Sequence, residues 1–128
     1  MLTNQVSGLQ HIGIPAYSLN ESIAFYHELG FSVVYKKEKD SRHPNVAFVQ
    51  LYDLIIELYE ERAVLSDGSI NHFALNVNDV QEVWNFVQRK GWSNVSKSVE
   101  YLPFWENGIR YFVIEGPNKE KIEFCEYV

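Results

Sequence analysis

Apolar residues recur along this chain with two periods, one typical of strands and one typical of helices. Alternation over Leu9–Ile14 predicts a β-strand, and apolar positions three and four residues apart predict a helix over Leu19–Leu29. Gly30 follows that helix as a C-terminal stop. Three more strands are predicted in the first half: Phe31–Tyr35, Val46–Leu51 and Leu54–Tyr59. This half therefore predicts the element order βαβββ.

The second half of the chain repeats this order. A strand is predicted for Ile70–Val77 and a helix for Val80–Lys90, which Gly91 ends. Three further strands are predicted near Asn94–Ser98, Arg110–Glu115 and Lys121–Tyr127. The sequence thus predicts an α+β fold of two tandem βαβββ modules, residues 8–61 and 69–128, within a single domain.

The two halves also match residue by residue. Residues 8–34 shifted by 61 positions (72 − 11 = 61) place His11 on His72 without a gap. A second match, between residues 56–60 and 122–126, places Glu57 on Glu123 at an offset of 66. The difference of five residues (66 − 61 = 5) predicts an insertion near Tyr101–Gly108. Each helix start carries a matched capping pair: Ser18 with Glu21, and Asp79 with Glu82.

The matched histidines each stand in a predicted strand beside a small residue. His11 shares its strand face with Gly13, and His72 shares its face with Ala74, because residues two apart lie on the same side of a strand. The small neighbour leaves space beside each imidazole for a metal ion or a ligand. One strand histidine alone is more often structural, but two at matched positions favour ligation.

The matched glutamates stand among apolar strand residues, where a carboxylate is costly unless another group pairs with it. Two carboxylates and two imidazoles at repeat-equivalent positions have one economical explanation, a pseudo-twofold site around one divalent cation. The predicted ligands are His11, Glu57, His72 and Glu123.

Composition excludes several function classes. The 128 residues carry a net charge of −6, which argues against nucleic acid binding because that function requires a basic face. No apolar run reaches the length of a membrane span, and the N-terminus lacks the pattern of a signal peptide. The single cysteine, Cys125, cannot form an internal disulfide. We therefore expect a cytoplasmic protein that binds neither nucleic acid nor membrane.

Several short motifs resemble those of the vicinal oxygen chelate superfamily, which includes glyoxalase I, extradiol dioxygenases, fosfomycin-resistance enzymes and bleomycin-binding proteins. The resemblance covers nearly the whole chain. It implies paired βαβββ modules whose sheets curl around a metal cavity. For a chain of this length it also implies a homodimer, in which each site takes ligands from both chains. The motifs are HIGI at 11–14, SIAFY at 22–26, LGF at 29–31, IEL at 56–58, the strand around residue 72, and GP at 116–117 leading to IEF at 122–124.

The ligand set of two histidines and two glutamates is similar to that of glyoxalase I. The superfamily's dioxygenases and fosfomycin-resistance enzymes instead use two histidines and one glutamate. The resemblance implies a lyase or isomerase, like lactoylglutathione lyase, that moves a proton between adjacent carbons of a hemithioacetal-type substrate through a metal-chelated enediolate. One Zn, Ni or Co ion would be bound, or else Mn or Fe. Glu123, with Glu57 as its symmetry mate, would carry the proton.

Two positions depart from the glutathione-using bacterial enzymes that this chain resembles. Pro15 stands where those enzymes have an arginine, and Glu61 stands where they have an asparagine. Both positions would contact the carboxylates of glutathione, so a different thiol is expected.

Other residues and other functions remain open at the level of sequence. Arg110, Phe104 and Trp105 are candidate substrate contacts, because they offer a positive charge and two aromatic rings. One alternative function is a binding or resistance protein for an antibiotic or another small molecule. A second alternative is an Fe(II) dioxygenase of the extradiol type.

Overall fold

A computed structural model describes residues 9–61 and 70–128, together with residue 5. The chain divides into two compact units, Met1–Ala63 and Val64–Val128. In the part of the chain that the structure describes, each unit contains one helix and one sheet with both parallel and antiparallel strand pairs. The α+β class and the two βαβββ repeats are confirmed, with one added strand in the second unit. Within the described residues, neither helix is long and apolar enough to cross a membrane.

The first unit places a helix against one face of a four-stranded sheet. Its elements are β1 (Ile12–Ala16), α1 (Leu19–Glu28), β2 (Ser32–Lys37), β3 (Val46–Leu51) and β4 (Leu54–Glu60). The strands lie in the order β1-β4-β3-β2, with β1 parallel to β4 and the other pairs antiparallel. Apolar side chains between the helix and the sheet form the core, among them Tyr26, Val49, Ile56 and Leu58.

The second unit repeats this plan. Its elements are β5 (His72–Asn76), α2 (Val80–Lys90), β6 (Ser93–Asn94), β7 (Glu100–Leu102), β8 (Ile109–Glu115) and β9 (Lys121–Tyr127). The main strand order is β5-β9-β8-β6, with β5 parallel to β9, and the short strand β7 also pairs with β8. Val87, Phe112, Ile114 and Ile122 are fully buried between the helix and the sheet.

Helix starts and stops follow the predicted residues. The Ser18 hydroxyl accepts from the amide of Glu21 at 3.3 Å, and the Asp79 carboxylate accepts from the amide of Glu82 at 2.9 Å. Gly91 ends α2 with φ 67°, a left-handed conformation that glycine adopts without strain. The predicted capping pairs are therefore confirmed, and α2 has the bounds that the sequence predicts.

A second acceptor at each helix start comes from the neighbouring sheet. Glu60 Oε2 accepts from the amide of Leu19 at 3.1 Å, and Glu126 Oε2 accepts from the amide of Val80 at 2.8 Å. A carboxylate is favourable there because the first amides of a helix are unpaired and carry partial positive charge. These glutamates stand three residues after Glu57 and Glu123, on the opposite face of the same strands. The last strand of each unit thus also holds the helix in place.

Removing the longer-range cap should destabilise the protein. We expect Glu126→Ala to lower the free energy of unfolding by about 1–2 kcal/mol, because the amide of Val80 loses a charged acceptor in a partly buried position. Urea denaturation followed by circular dichroism measures the change. Glu106→Ala is the control, since Glu106 is exposed and lies in a connection outside both helices. Equal losses in the two variants would contradict the capping role.

At three places the structure differs from the predicted strands by more than two residues. β1 begins at Ile12 rather than Leu9, so His11 lies just before the strand. β6 ends at Asn94, because the amides of Val95 and Ser96 both donate to the carbonyl of Val113, which interrupts the regular ladder. An insertion was predicted near Tyr101–Gly108 without a strand, but its first two residues belong to β7, which pairs with β8. Backbone pairing of this kind leaves no signature in apolar periodicity.

Candidate metal centre

One histidine–glutamate pair lies in the first unit. His11 Nε2 is 3.2 Å from Glu57 Oε2. The parallel register of β1 and β4 sets Gly13 directly beside Glu57, so the histidine two residues earlier reaches the carboxylate from the same face. The His11 ring also meets the Phe48 ring edge-on, with centroids 5.5 Å apart. Phe48 lies directly beside Glu57 in the antiparallel register of β3 and β4, so this strand pair positions both the ring that contacts His11 and the carboxylate.

The second unit contains the matching pair. His72 Nε2 is 3.3 Å from Glu123 Oε2. Ala74 lies directly beside Glu123 in the register of β5 and β9, as Gly13 lies beside Glu57 in the first unit. The structure therefore joins each predicted histidine with the glutamate of its own module. Gly13 and Ala74, two residues after each histidine, thus place only a small residue beside each glutamate.

Two further residues touch the histidines, and sequence reasoning missed them. His11 Nδ1 contacts the side-chain oxygen of Gln10, and His72 Nδ1 contacts that of Asn71 at 2.9 Å. Metal-ligating histidines usually bond through the second ring nitrogen to an oxygen that fixes the ring orientation. A signal was present in the sequence, because both matched histidines follow a carboxamide residue.

The donor chemistry of these pairs fits a divalent cation. Imidazole nitrogen and carboxylate oxygen bind zinc at about 2.0–2.2 Å, so two such ligands of one ion lie roughly 3 Å apart. The distances of 3.2 and 3.3 Å agree with this spacing. Each pair supplies two donors, and no group of three or more histidine, cysteine, aspartate or glutamate side chains with metal-site geometry occurs among residues 9–61 and 70–128.

The charge of each carboxylate affects its neighbours on the same face. Burial, followed by the charges of Glu61 and Glu57, raises the pKa of the Tyr59 phenol. Burial, followed by the charge of Glu123, likewise raises the pKa of the Cys125 thiol. Cys125 therefore stays a neutral thiol rather than a reactive thiolate.

A tyrosine that the sequence analysis did not single out also lies near Glu123. Tyr111 pairs with Cys125 across β8 and β9, and its hydroxyl donates to Glu100 Oε2 at 2.9 Å. That hydrogen bond, then burial and the charges of Glu100 and Glu123, raise the Tyr111 pKa. The phenol remains protonated and is held toward Glu100.

The three predicted substrate contacts lie in different places. Arg110 pairs with Glu126 and alternates with Tyr111, so it lies on the helix side of the sheet, opposite Glu123. Phe104 and Trp105 are exposed in the connection between β7 and β8. Trp105 meets Tyr127 edge-on, with ring centroids 6.0 Å apart.

The Trp105 backbone is strained. Its φ of 61° lies in the left-handed region, which bulky residues rarely adopt. Tyr127 stands four residues after Glu123, on the same face of β9. Two exposed aromatic rings therefore meet at the end of the strand that carries Glu123, and we call Trp105 and Tyr127 the aromatic ledge.

Comparison with known families decides the assignment. The family model described as Glyoxalase/Bleomycin resistance protein/Dioxygenase superfamily matches residues 8–124. The chain belongs to this superfamily. The resemblance found in the sequence motifs is thereby confirmed.

One curated protein matches nearly the whole chain in sequence, and solved structures match it in fold. The uncharacterized protein YwbC of Bacillus subtilis (strain 168) is 32% identical, over 92% of this chain and 96% of its own length. A mutant of the fosfomycin resistance protein FosX from Listeria monocytogenes, complexed with Mn(II) and 1S,2S-dihydroxypropylphosphonic acid, gives a TM-score of 0.75 at 19% identity, over 94% of this chain and 90% of that one. TnmS3, an antibiotic binding protein from Streptomyces sp. CB03234, gives a TM-score of 0.73 at 18% identity, over 97% and 98% of the two chains. At these identities the two structures show the fold alone.

Proposed function

We propose that this protein is a metal-dependent lyase or isomerase of the glyoxalase I type, acting on a small molecule with oxygens on adjacent carbons. The observation that carries the proposal is the histidine–glutamate pair of each unit, with nitrogen–oxygen distances of 3.2 and 3.3 Å. Glu57 beside His11 makes the set two histidines and two glutamates. In the resemblance described above, that set favours glyoxalase I over the superfamily's dioxygenases and fosfomycin-resistance enzymes.

A complete metal centre requires both pairs. One pair supplies two protein donors, whereas catalytic zinc centres take about three and structural ones about four. Two imidazoles and two carboxylates suit Zn, Ni or Co, and also Mn or Fe. We therefore propose that His11, Glu57, His72 and Glu123 bind one divalent ion per site.

The chain's own residues would position the substrate and move the proton. When bound, a divalent cation supplies Lewis acidity that stabilises negative charge on adjacent substrate oxygens. Glu123 would be a ligand in the free enzyme, and with substrate bound it would remove a proton from one carbon and return it to the next. Its side chain is 15% exposed, compared with 26% for Glu57, so Glu123 is the better shielded from exchange with water during the transfer.

Metal affinity tests the centre directly. Protein stripped with a chelator should bind zinc, nickel or cobalt, and His72→Ala should lower the affinity at least tenfold because a ligand is lost. Isothermal titration calorimetry measures both. His43→Ala is the matched control, since His43 is an exposed histidine whose ring contacts Asp40. Equal affinity in wild type and His72→Ala would remove this site from consideration.

Metal titration also distinguishes metal sites within one chain from metal sites shared between the two chains of a homodimer. The family resemblance implies shared sites. If sites are shared, mixing His11→Ala with Glu123→Ala protein restores some of them, because one site of a mixed dimer carries both lesions and the other carries none. Sites within single chains would all stay damaged.

Turnover without oxygen uptake would separate the proposed lyase from an Fe(II) dioxygenase.

A second candidate function is the binding of an aromatic small molecule, and the aromatic ledge favours it. Trp105 is 73% exposed, its backbone has a positive φ, and its ring meets that of Tyr127 edge-on. Exposed rings in such an arrangement offer a stacking surface for a planar ligand. This function needs no metal, so metal content after purification separates the two candidates.

Fluorescence tests the ledge. We expect a fused-ring ligand such as 1-naphthol to quench tryptophan emission of the metal-free protein. Trp105→Ala should weaken binding about two- to tenfold, as loss of one stacking contact does. Trp92→Phe is the control, because Trp92 packs against Phe86 and is less exposed than Trp105. Unchanged binding in Trp105→Ala would exclude the ledge as a ligand site.

A further inference from the structure

Both histidines of the candidate centre bond to the residue directly before them. Gln10 Oε1 lies against His11 Nδ1, and Asn71 Oδ1 lies 2.9 Å from His72 Nδ1. The two carboxamides are themselves repeat-equivalent (71 − 10 = 61). The same contact therefore occurs independently in each unit.

Such a contact is not available inside a regular strand, because neighbouring side chains there point to opposite faces. Here Gln10 and His11 precede β1, which begins at Ile12, and Asn71 precedes β5. The backbone before each strand is irregular, so the carboxamide can turn back to the following ring. In the first unit this coincides with the late start of β1.

The chemistry of the contact assigns a role to each ring nitrogen. A carboxamide oxygen only accepts hydrogen bonds, so Nδ1 of each histidine donates to the oxygen that faces it. Nε2 is then the ring atom that faces the glutamate, at 3.2 Å for Glu57 and 3.3 Å for Glu123. Positive charge beside Nε2 stabilises a carboxylate in this position, and a bound cation would supply that charge.

We propose that Gln10 and Asn71 are positioning residues that hold Nδ1–H of His11 and His72, so that Nε2 of each ring is the atom presented to the cation. The inference rests on the proposed metal centre. It adds that the centre is built from six side chains rather than four, and that the two carboxamides fix the ring orientation before the cation binds.

The proposal is tested by the zinc affinity of variants in which Gln10 or Asn71 either loses or keeps its side-chain oxygen. Gln10→Met and Asn71→Leu keep the approximate size but remove the acceptor, and each should lower zinc affinity about tenfold. Gln10→Glu and Asn71→Asp keep an oxygen in place and should bind zinc at least as tightly as wild type. The melting temperatures of the metal-free proteins should agree, because both contacts are exposed and carry little of the fold's stability.

Spectroscopy separates positioning from a general structural effect. In long-range ¹H–¹⁵N spectra of the zinc-loaded protein, wild type and the acidic variants should show Nδ1–H signals protected from exchange for both histidines. The variant without the acceptor should lose that signal for its own histidine and keep it for the other. Zinc affinity within twofold of wild type in both apolar variants, or lower affinity with a preserved Nδ1–H signal, would overturn the proposal. Absence of zinc, nickel, cobalt and manganese binding in wild type would instead overturn the metal centre itself.

Discussion

Glu123→Gln should lower turnover of a productive substrate by a factor of about 10²–10⁴, the usual contribution of a general base. The carboxamide has nearly the same size as the carboxylate and can still offer an oxygen to a cation, but it cannot accept the proton. The expected loss is therefore in kcat of the metal-loaded enzyme, more than in folding. Steady-state kinetics with zinc, nickel or cobalt loaded separately measures it and guards against the wrong metal.

Glu57→Gln is the matched comparison, because Glu57 occupies the equivalent place beside His11. It should lose less activity than Glu123→Gln if Glu123 carries the proton. Metal content of both variants must be measured alongside, so that loss of the base is not confused with loss of the ion. Turnover that survives Glu123→Gln unchanged would refute the assigned base.

The glutathione–methylglyoxal adduct should be a poor substrate, with a different thiol adduct or vicinal dioxygen compound preferred. Pro15 lies on the same face of β1 as Gly13, directly beside Tyr59 in the parallel register. The charge of Glu61 contributes to the raised pKa of Tyr59, so a negative charge acts on this face. A lost cationic contact and an added like charge would together cost roughly 3–4 kcal/mol, or a factor of a few hundred in affinity.

Variants that introduce the residues of the glutathione-using enzymes at positions 61 and 15 test this expectation. Glu61→Asn should raise kcat/KM for the glutathione adduct, and Pro15→Arg combined with it should raise the value further. Glu38→Asn, an exposed site in the connection after β2, is the control for a simple change of net charge. Turnover of the glutathione adduct by wild type with kcat/KM of about 10⁴ M⁻¹s⁻¹ or above would show that these two positions do not exclude glutathione.

Much of the fold follows from local sequence. α2 has its predicted bounds because Asp79 caps its start and Gly91 ends it, and these signals act within a few residues. β3 and β9 also match, since the period of apolar residues marks a strand that is buried on one face. β6 and β7 were not predicted correctly, because their limits depend on which backbone groups of β8 they pair with.

The candidate site likewise combines features that the local sequence predicts with features that depend on contacts between distant strands. The repeat singled out the histidines and glutamates, but it could not tell which histidine stands beside which glutamate. That pairing depends on parallel contacts between strands more than forty residues apart, such as His11 with Glu57. The face of Arg110 depends on the register of β8 and β9. That register is set by the turn after β8, where the amide of Gly116 donates to the carbonyl of Glu120.

The last strand of each unit carries two glutamates three residues apart, on opposite faces, and together they restrict the register of that strand. A slip of β4 by one residue would carry Glu57 toward the core and turn Ile56 and Leu58 out to water. It would also withdraw Glu60 from the first amide of α1. Misaligned forms of the sheet therefore lose apolar burial, a helix cap and a proposed ligand at once, so they should be sparsely populated even before any ion is bound.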